Sequence, residues 1–385
     1  MGVIYRDVRA DEYDDMVDLI NYAFGFQAQR SLAKAYGEGA VAPSRHKVAV
    51  DEGTGRLLAA VGVYPQSVRL GDRSLQVGFL GCVAVHPRAR GEGHMRRLID
   101  LWHEELRREG RTDMMVLWGL RHRYEHFGYT PSGYDCTYTV NDSCAKHALA
   151  GTDASGISFR PMFAPDTRQA DIDLAVRLNK ARIVHVDRDP RYIDRICSYL
   201  SGEALAVEYA GRTAGYLVRS VAEPGVVREL ALDDPALAGA FAKAYLGELR
   251  GRGSQSFTLR VSPTDAALNE RFTVFCEDTT IGNLCKCNIF DYAAVIEGYL
   301  SVAARLWHVE SGRFSAVLDG QPVTVTVTGD AVSVERQADE GSPRLSKMDA
   351  QELVMGMGAR YRHDLPVAPA GWFPLPLCWY WPDLN

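Results

Sequence analysis

The sequence predicts a mixed α/β chain made of three successive segments. Three observations lead there. Strand and helix patterns alternate through the first third. The same order of patterns returns in the middle third. The C-terminal quarter then changes to runs that alternate apolar and polar residues with period two.

The elements follow in order. Asp11 to Phe24 carries Met16, Leu19, Ile20 and Phe24 at helical spacing. Lys47-Val-Ala-Val and Leu57-Leu-Ala-Ala-Val-Gly-Val read as strands around the turn Asp51-Glu-Gly-Thr-Gly. Leu75 to Val85 is a strand that stops at His86-Pro87, and Glu92 to Glu109 is a helix with Met95, Leu98, Ile99, Trp102 and Leu106 on one face. Asp113 to Trp118 and Tyr134 to Thr139 are further strands, and Asn141 to Ser155 reads as a polar connection.

Beyond it, Ala204–Tyr209, Thr213–Val218 and Val226–Leu232 read as strands, and Pro235–Leu249 as a helix. That order mirrors Lys47–Glu109. Asp291–Leu306 is helical, Phe314–Asp319, Pro322–Thr328 and Ala331–Arg336 alternate, and Met348–Met357 is a helix. The tail Trp372–Asn385 is too aromatic to be free and is expected to dock. The predicted segments are 1–145, 146–287 and 288–385.

Composition excludes classes. With 46% hydrophobic and 24% charged residues the chain is neither disordered nor collagenous. A net charge of -6 argues against a general nucleic-acid binder. The eight cysteines are scattered without a Cys-x-x-Cys pair, so buried free thiols are expected, and neither disulfides nor a metal site. Cys285 and Cys287 are expected on one face of a strand. The acidic N-terminus lacks a signal-peptide core, and no apolar run approaches a membrane span. A cytoplasmic protein without a membrane or nucleic-acid partner is the expectation.

The stretch Val83-Ala-Val-His-Pro-Arg-Ala-Arg-Gly-Glu-Gly-His-Met-Arg-Arg carries the chemistry. A strand ends at Pro87, and a glycine-containing turn opens a helix. Amides at a helix start have no intrahelical partners and sit at the positive end of the dipole. Gly91 and Gly93 let backbone approach an anion, which suits a pyrophosphate. Neither a Walker loop nor a dinucleotide fingerprint is present. A plain strand-to-helix turn explains the same letters.

This stretch resembles the acyl-CoA-binding motif of the Gcn5-related N-acetyltransferases (GNAT), Arg/Gln-x-x-Gly-x-Gly/Ala. Arg90, Gly93 and Met95 take those positions, and Arg88, Gly91 and Gly93 match in a shifted frame. The resemblance implies that acetyl-CoA is held by Cys82, Val83 and Val85 along the pantetheine arm. It assigns Arg88, Arg90, Gly91, Gly93, His94, Met95 and Arg96 to the pyrophosphate. Downstream, Tyr124-Glu-His-Phe-Gly-Tyr129 resembles the family's tyrosine segment, which makes Tyr124 the acid for the departing thiolate. Packing under the helix is the other reading of Tyr124, and Tyr129 is expected to pack the sheet.

The layout resembles the enhanced-intracellular-survival acetyltransferases over essentially the full chain. Those combine two GNAT folds in tandem with a sterol-carrier-protein-like α+β domain. Leu232-Asp-Asp-Pro-Ala-Leu stands where a second coenzyme motif would be, so no second coenzyme site is expected. In that subfamily the C-terminal carboxylate serves as base, which points to Asn385. Phe79-Leu-Gly-Cys-Val, where many single-domain relatives place a carboxylate base, has none. The histidines His86, His94, His122 and His126 are less favoured as base.

The expected activity is acetyl transfer to the primary amine of a small molecule of aminoglycoside, polyamine or lysine type. Phe24, Phe26 and Trp118 are expected on the acceptor side, and Gln27–Ser44 is expected to shape it. The resemblance also implies a homo-oligomer, a hexamer. The alternatives are an N-acyltransferase of a biosynthetic intermediate and a non-catalytic acyl-CoA-gated binding protein.

Overall fold

The computed structural model describes residues 2–38, 40, 45–164 and 167–384. The chain packs as two units. One comprises the chain up to Gly133 together with Cys285–Leu375, and the other comprises Tyr134–Leu284 with Pro376–Leu384. Each unit therefore combines stretches that are distant in sequence.

In the first unit the elements are β1 (Val3–Asp7), α1 (Tyr13–Phe24), the short α2 (Ala28–Ser31) and α3 (Ala33–Tyr36), β2 (Arg45–Asp51), β3 (Leu57–Leu70), β4 (Arg73–Val85), α4 (His94–Glu109), β5 (Met114–Leu117) and α5 (Arg121–Glu125). The strands lie in the order β1-β2-β3-β4-β5, followed by the end of strand Asp278–Ile289. All neighbours are antiparallel except β4 and β5. Helix α4 covers one face. Its Leu98, Ile99, Trp102 and Leu106 pack with Ala49, Ala59, Val61, Val63 and Leu80. Each such leucine, isoleucine or valine contributes about 1.5–3 kcal/mol by leaving water. Trp102 also donates Nε1–H to the Val61 carbonyl at 3.0 Å.

Strand β3 runs seven residues past Val63, where the sequence pattern stops. Pro65 reads as a strand breaker, yet it sits exposed in the ladder opposite Gly78. Val68 and Leu70 beyond it are buried and pair with Leu75 and Arg73, so cross-strand packing carries the hairpin through.

The C-terminal part of this unit forms helix Tyr292–Leu306 and a four-stranded sheet. Its order is Ala331–Glu335, Gln321–Thr328, Gly312–Leu318, Arg344–Leu345, and helix Lys347–Met355 follows. Gly298 lets helix Tyr292–Leu306 approach the β3–β4 hairpin, since a Cβ there would meet Leu70 Cδ1 at 2.7 Å. Cys285 and Cys287 are both buried strand residues, as expected.

The second unit is a sheet in the order Thr130–Asn141, Ser256–Val261, Val226–Leu232, Arg212–Ser220, Gly202–Tyr209, Ile157–Pro161. Helix Ala238–Arg250 buries Phe241, Tyr245 and Leu249 against it. The expected connection at Asn141–Ser155 contains a short helix, Asp142–Lys146, capped by the Asn141 side chain.

The tail Pro376–Leu384 is docked, with Leu377, Cys378, Trp379, Tyr380 and Leu384 buried. Its Asp383 accepts two hydrogen bonds from the Arg188 guanidinium, at 2.7 and 2.9 Å. Arg188 also donates to Tyr216 at 2.9 Å and pairs with Glu229 at 3.1 Å. Burial alone would raise the Glu229 carboxyl, but Arg188 and Arg182 overcome it and hold it below its ordinary value.

All eight cysteines are free; Cys82, Cys136 and Cys276 are only partly buried. Among the described residues no His, Cys, Asp or Glu group is arranged to hold a metal ion. No helix of the described residues is long and apolar enough to cross a membrane.

Candidate active site

The site begins where two parallel strands part. β4 and β5 pair from Val77 to Phe79 with Met114 to Val116, and β4 then runs on to Val85 with its ladder to β3 alone. Its ladder with β3 slips in the same region. Ala60 faces Ala84, but Gly62 faces Gly81, so Val61 opposes both Cys82 and Val83. This bulge gives Cys82 a φ of 47°, a left-handed value rare outside glycine.

After β4, the turn Pro87–Ala89 leads into Arg90-Gly91-Glu92-Gly93 and then α4. Gly91 has φ 87° and Gly93, the residue before the helix, φ 83°. A Cβ at either would stand in open space, so the positive φ selects glycine here, not crowding. The first amides of α4 thus open onto free volume, flanked by basic side chains.

That volume is a cavity of about 670 Å³ lined by Phe24, Val83, Val85, Ala89, Arg90, Gly91, Gly93, His94, Met95 and Arg96. Ala23, Arg123, His126 and Phe127 complete it. Eight of the ten residues expected to hold the coenzyme therefore meet in one cleft. The lining follows the frame of Arg90, Gly93 and Met95. Arg88 instead lines a neighbouring cavity with Asp15, Asp18, Tyr22 and Arg56, and its amide bonds His86 Nδ1 at 3.2 Å. Cys82 does not line the cleft, and Tyr36, Tyr64 and His46 form a buried hydrogen-bonded cluster of their own.

Arg123 and Phe127 were not singled out by sequence, and His126 only as a less favoured base, although all three fall in or beside the Tyr124–Tyr129 motif. The turn of α5 brings them to the cleft wall. His94 is fixed by Tyr5, whose hydroxyl lies 2.9 Å from Nδ1, and by Glu92, 3.1 Å from Nε2.

Tyr124 packs in the apolar cluster that also contains Val83, Leu80 and Leu117. Its ring lies over Gly119, where a Cβ would meet Cε2 at 2.4 Å, so only glycine admits it. Burial raises its phenol above the ordinary value and keeps it protonated at neutral pH. Tyr129 packs the sheet, as expected, with its hydroxyl 2.9 Å from His103 Nε2.

Phe24 lines the cleft, and the Phe26 ring lies 5.5 Å from it. Trp118 stacks on Phe79 with centroids 5.4 Å apart and does not line the cleft. Asn385 lies outside the described residues, as do five positions of the Gln27–Ser44 segment, 39 and 41–44.

Residues 4–132 match the acetyltransferase (GNAT) domain family. The chain carries an acetyltransferase domain of the GNAT type. Its enzyme class, N-acetyltransferase, rests on that domain.

The whole chain is similar in fold to several solved structures. One is a probable N-acyltransferase of unknown function from Enterococcus faecalis, at 16% identity and a TM-score of 0.64, covering 91% of this chain and 89% of that one. A second is a GCN5-related N-acetyltransferase from Anabaena variabilis, at 13% identity and TM-score 0.62, covering 90% and 88%. A third is Eis1 from Mycobacterium abscessus, at 15% identity and TM-score 0.56, also covering 90% and 88%. The comparison with curated proteins gives no match.

Proposed function

We propose that the cleft binds acetyl-CoA and that the protein transfers the acetyl group directly to a primary amine of a small molecule. The observation that carries this reading is one cleft lined by both the end of β4 beyond its pairing with β5 and the open start of α4. The residues fit the coenzyme. Gly91 and Gly93 offer uncrowded amides to a pyrophosphate, Arg90, Arg96 and Arg123 supply positive charge, and Val83 and Val85 give an extended edge for the pantetheine arm. The coenzyme supplies a thioester whose carbonyl accepts the amine.

The chain's own residues have three tasks. Amides at the β4 bulge polarise the carbonyl oxygen. Tyr124, which burial keeps protonated, gives its proton to the departing thiolate. The amine must lose a proton, and the carboxylate of Asn385 is the proposed base. What supports that choice is the absence of Asp or Glu from Phe79-Leu-Gly-Cys-Val. The acceptor is proposed to be of aminoglycoside, polyamine or lysine type.

The segments 1–145, 146–287 and 288–385 are proposed as two tandem GNAT folds and a sterol-carrier-protein-like domain, assembling as a cytoplasmic homo-oligomer, a hexamer by resemblance. The strand, strand, strand, helix order of 202–250 supports the tandem origin, since it repeats that of 45–109.

The test is thiol release from acetyl-CoA with a panel of amines. Wild type is expected to turn over, and Tyr124→Phe to lose roughly a hundredfold in kcat with an unchanged KM for acetyl-CoA. Failure of wild-type protein to bind acetyl-CoA would overturn the reading. Binding without thiol release would favour a non-catalytic acyl-CoA-gated role.

A further inference from the structure

The cleft at the start of α4 is charged in one sense. Arg90, Arg96 and Arg123 line it together with the imidazoles of His94 and His126, and among the described residues no aspartate or glutamate does. The chain as a whole has a net charge of -6, so this is a local concentration of cations. The neighbouring cavity makes the contrast, since Asp15 and Asp18 line it beside Arg56 and Arg88. The carboxylates closest in sequence are engaged elsewhere. Glu92 lies 3.1 Å from His94 Nε2, and Glu125 pairs with Arg121 and, at 3.2 Å, with His122 Nδ1.

The cations come from two places. Arg90 and Arg96 flank the turn whose uncrowded Gly91 and Gly93 suit a diphosphate. Arg123 and His126 belong to α5 and its C-terminal cap, three residues apart and so on one face. Both are exposed, and among the described residues neither side chain is engaged in a hydrogen bond or ion pair. Phe127 joins the two groups, because it follows His126 and its ring centre lies 5.9 Å from Arg96 Cζ. A diphosphate is already served by the loop amides, Arg90 and Arg96. Like charges gathered in one cleft repel one another, so the groups on α5 call for an anion of their own.

We propose that Arg123, assisted by His126, forms a second anion site that receives the 3′-phosphate of coenzyme A, so that the cleft selects the phosphorylated coenzyme over its dephospho form. The inference rests on the acetyl-CoA reading and names a specificity determinant of that same site. The chemistry of the ligand matches the two groups. Coenzyme A carries a diphosphate and a phosphate monoester on one adenosine, and the monoester holds about 1.5 to 2 negative charges near neutral pH. A guanidinium donates two parallel hydrogen bonds to such a phosphate. Phe127 offers the adenosine an apolar surface beside both anion positions.

Calorimetry with coenzyme A and with dephospho-coenzyme A, on wild type and on Arg123→Gln, His126→Ala and Arg90→Gln, tests this. Wild type is expected to bind coenzyme A about tenfold to thirtyfold more tightly than the dephospho form. Arg123→Gln is expected to lose that factor for coenzyme A while binding dephospho-coenzyme A within about twofold of wild type. His126→Ala is expected to change in the same direction by about threefold. Arg90→Gln, at the diphosphate, is expected to weaken both ligands alike. Arg90, Arg123 and His126 are all exposed, so these variants are expected to fold.

Equal affinity of wild type for the two coenzymes would overturn the second site. So would an equal loss for both in Arg123→Gln, which would put that guanidinium on the diphosphate. In either case the acetyl-CoA reading stands. Failure of wild type to bind either coenzyme removes that reading, and the 3′-phosphate site with it.

Discussion

The two units treat the same passage of chain in opposite ways. In the first, β4 leads through Arg90-Gly91-Glu92-Gly93 into α4, and the helix start faces open volume. In the second, strand Val226–Leu232 leads through Asp233-Asp234-Pro235 into helix Ala238–Arg250. There the Asp234 carboxylate accepts from the Ala236 amide at 2.9 Å, and Pro235 removes another donor. One turn leaves its amides to a ligand; the other satisfies them from within the chain. The second unit also pairs its buried charges at Arg188, Glu229 and Asp383, whereas the first buries neutral imidazoles at His46 and His103. The strand-turn-helix topology is compatible with either choice; the turn residues decide which is made.

Four experiments press on this contrast. The largest effect is expected from Arg188→Leu, which leaves Asp383 and Glu229 buried beside a missing partner. It should cost the second unit about 3–5 kcal/mol in urea unfolding while acetyl-CoA binding by folded protein persists. Equal loss of coenzyme affinity in folded protein would argue against separate roles.

Acid should weaken the first unit. Burial lowers the His46 pKa from 6.5 to about 4, so the unfolded chain takes up a proton that the folded one refuses. The contribution, about 3 kcal/mol, is fully present above pH 6.5 and is lost as pH falls toward 4. His46→Gln should flatten this pH dependence in denaturant titrations at pH 7 and pH 4.5; an unchanged slope would contradict the assignment.

Gly93→Val places a branched side chain at positive φ and should weaken acetyl-CoA binding roughly a hundredfold by calorimetry. Asp234→Ala, the smallest effect, should cost about 1 kcal/mol of stability and leave acetyl-CoA affinity unchanged.

Legibility followed the range of the interactions. Val226–Leu232 and the cleft residues around Gly91 and Gly93 were readable because they depend on local pattern and on φ. The passage of β3 beyond Pro65 was not, because the partners of Val68 and Leu70 lie across the hairpin. Tyr36, Tyr64 and His46 were invisible for a similar reason: three elements bring them together, and each looks like an ordinary core residue in its own segment. Arg123 and His126 stood beside a motif already in view but needed the α5 turn to face the cleft. Trp118 was expected at the acceptor side and instead spends its face on Phe79.

The clasp between Arg188 and Asp383 also bears on how the chain is made. Synthesis proceeds from the N-terminus, and domains generally fold as units as they emerge. The second unit cannot do so on schedule. Residues 134–284 leave the ribosome early, yet Arg188 lacks its carboxylate partner until residues 376–384 follow. While residues 285–375 are made, Arg188 has Tyr216 and Glu229 within reach but not Asp383. Pro376–Leu384 therefore joins the second unit late, and the pairing of Arg188 with Asp383 marks the point at which that unit can close.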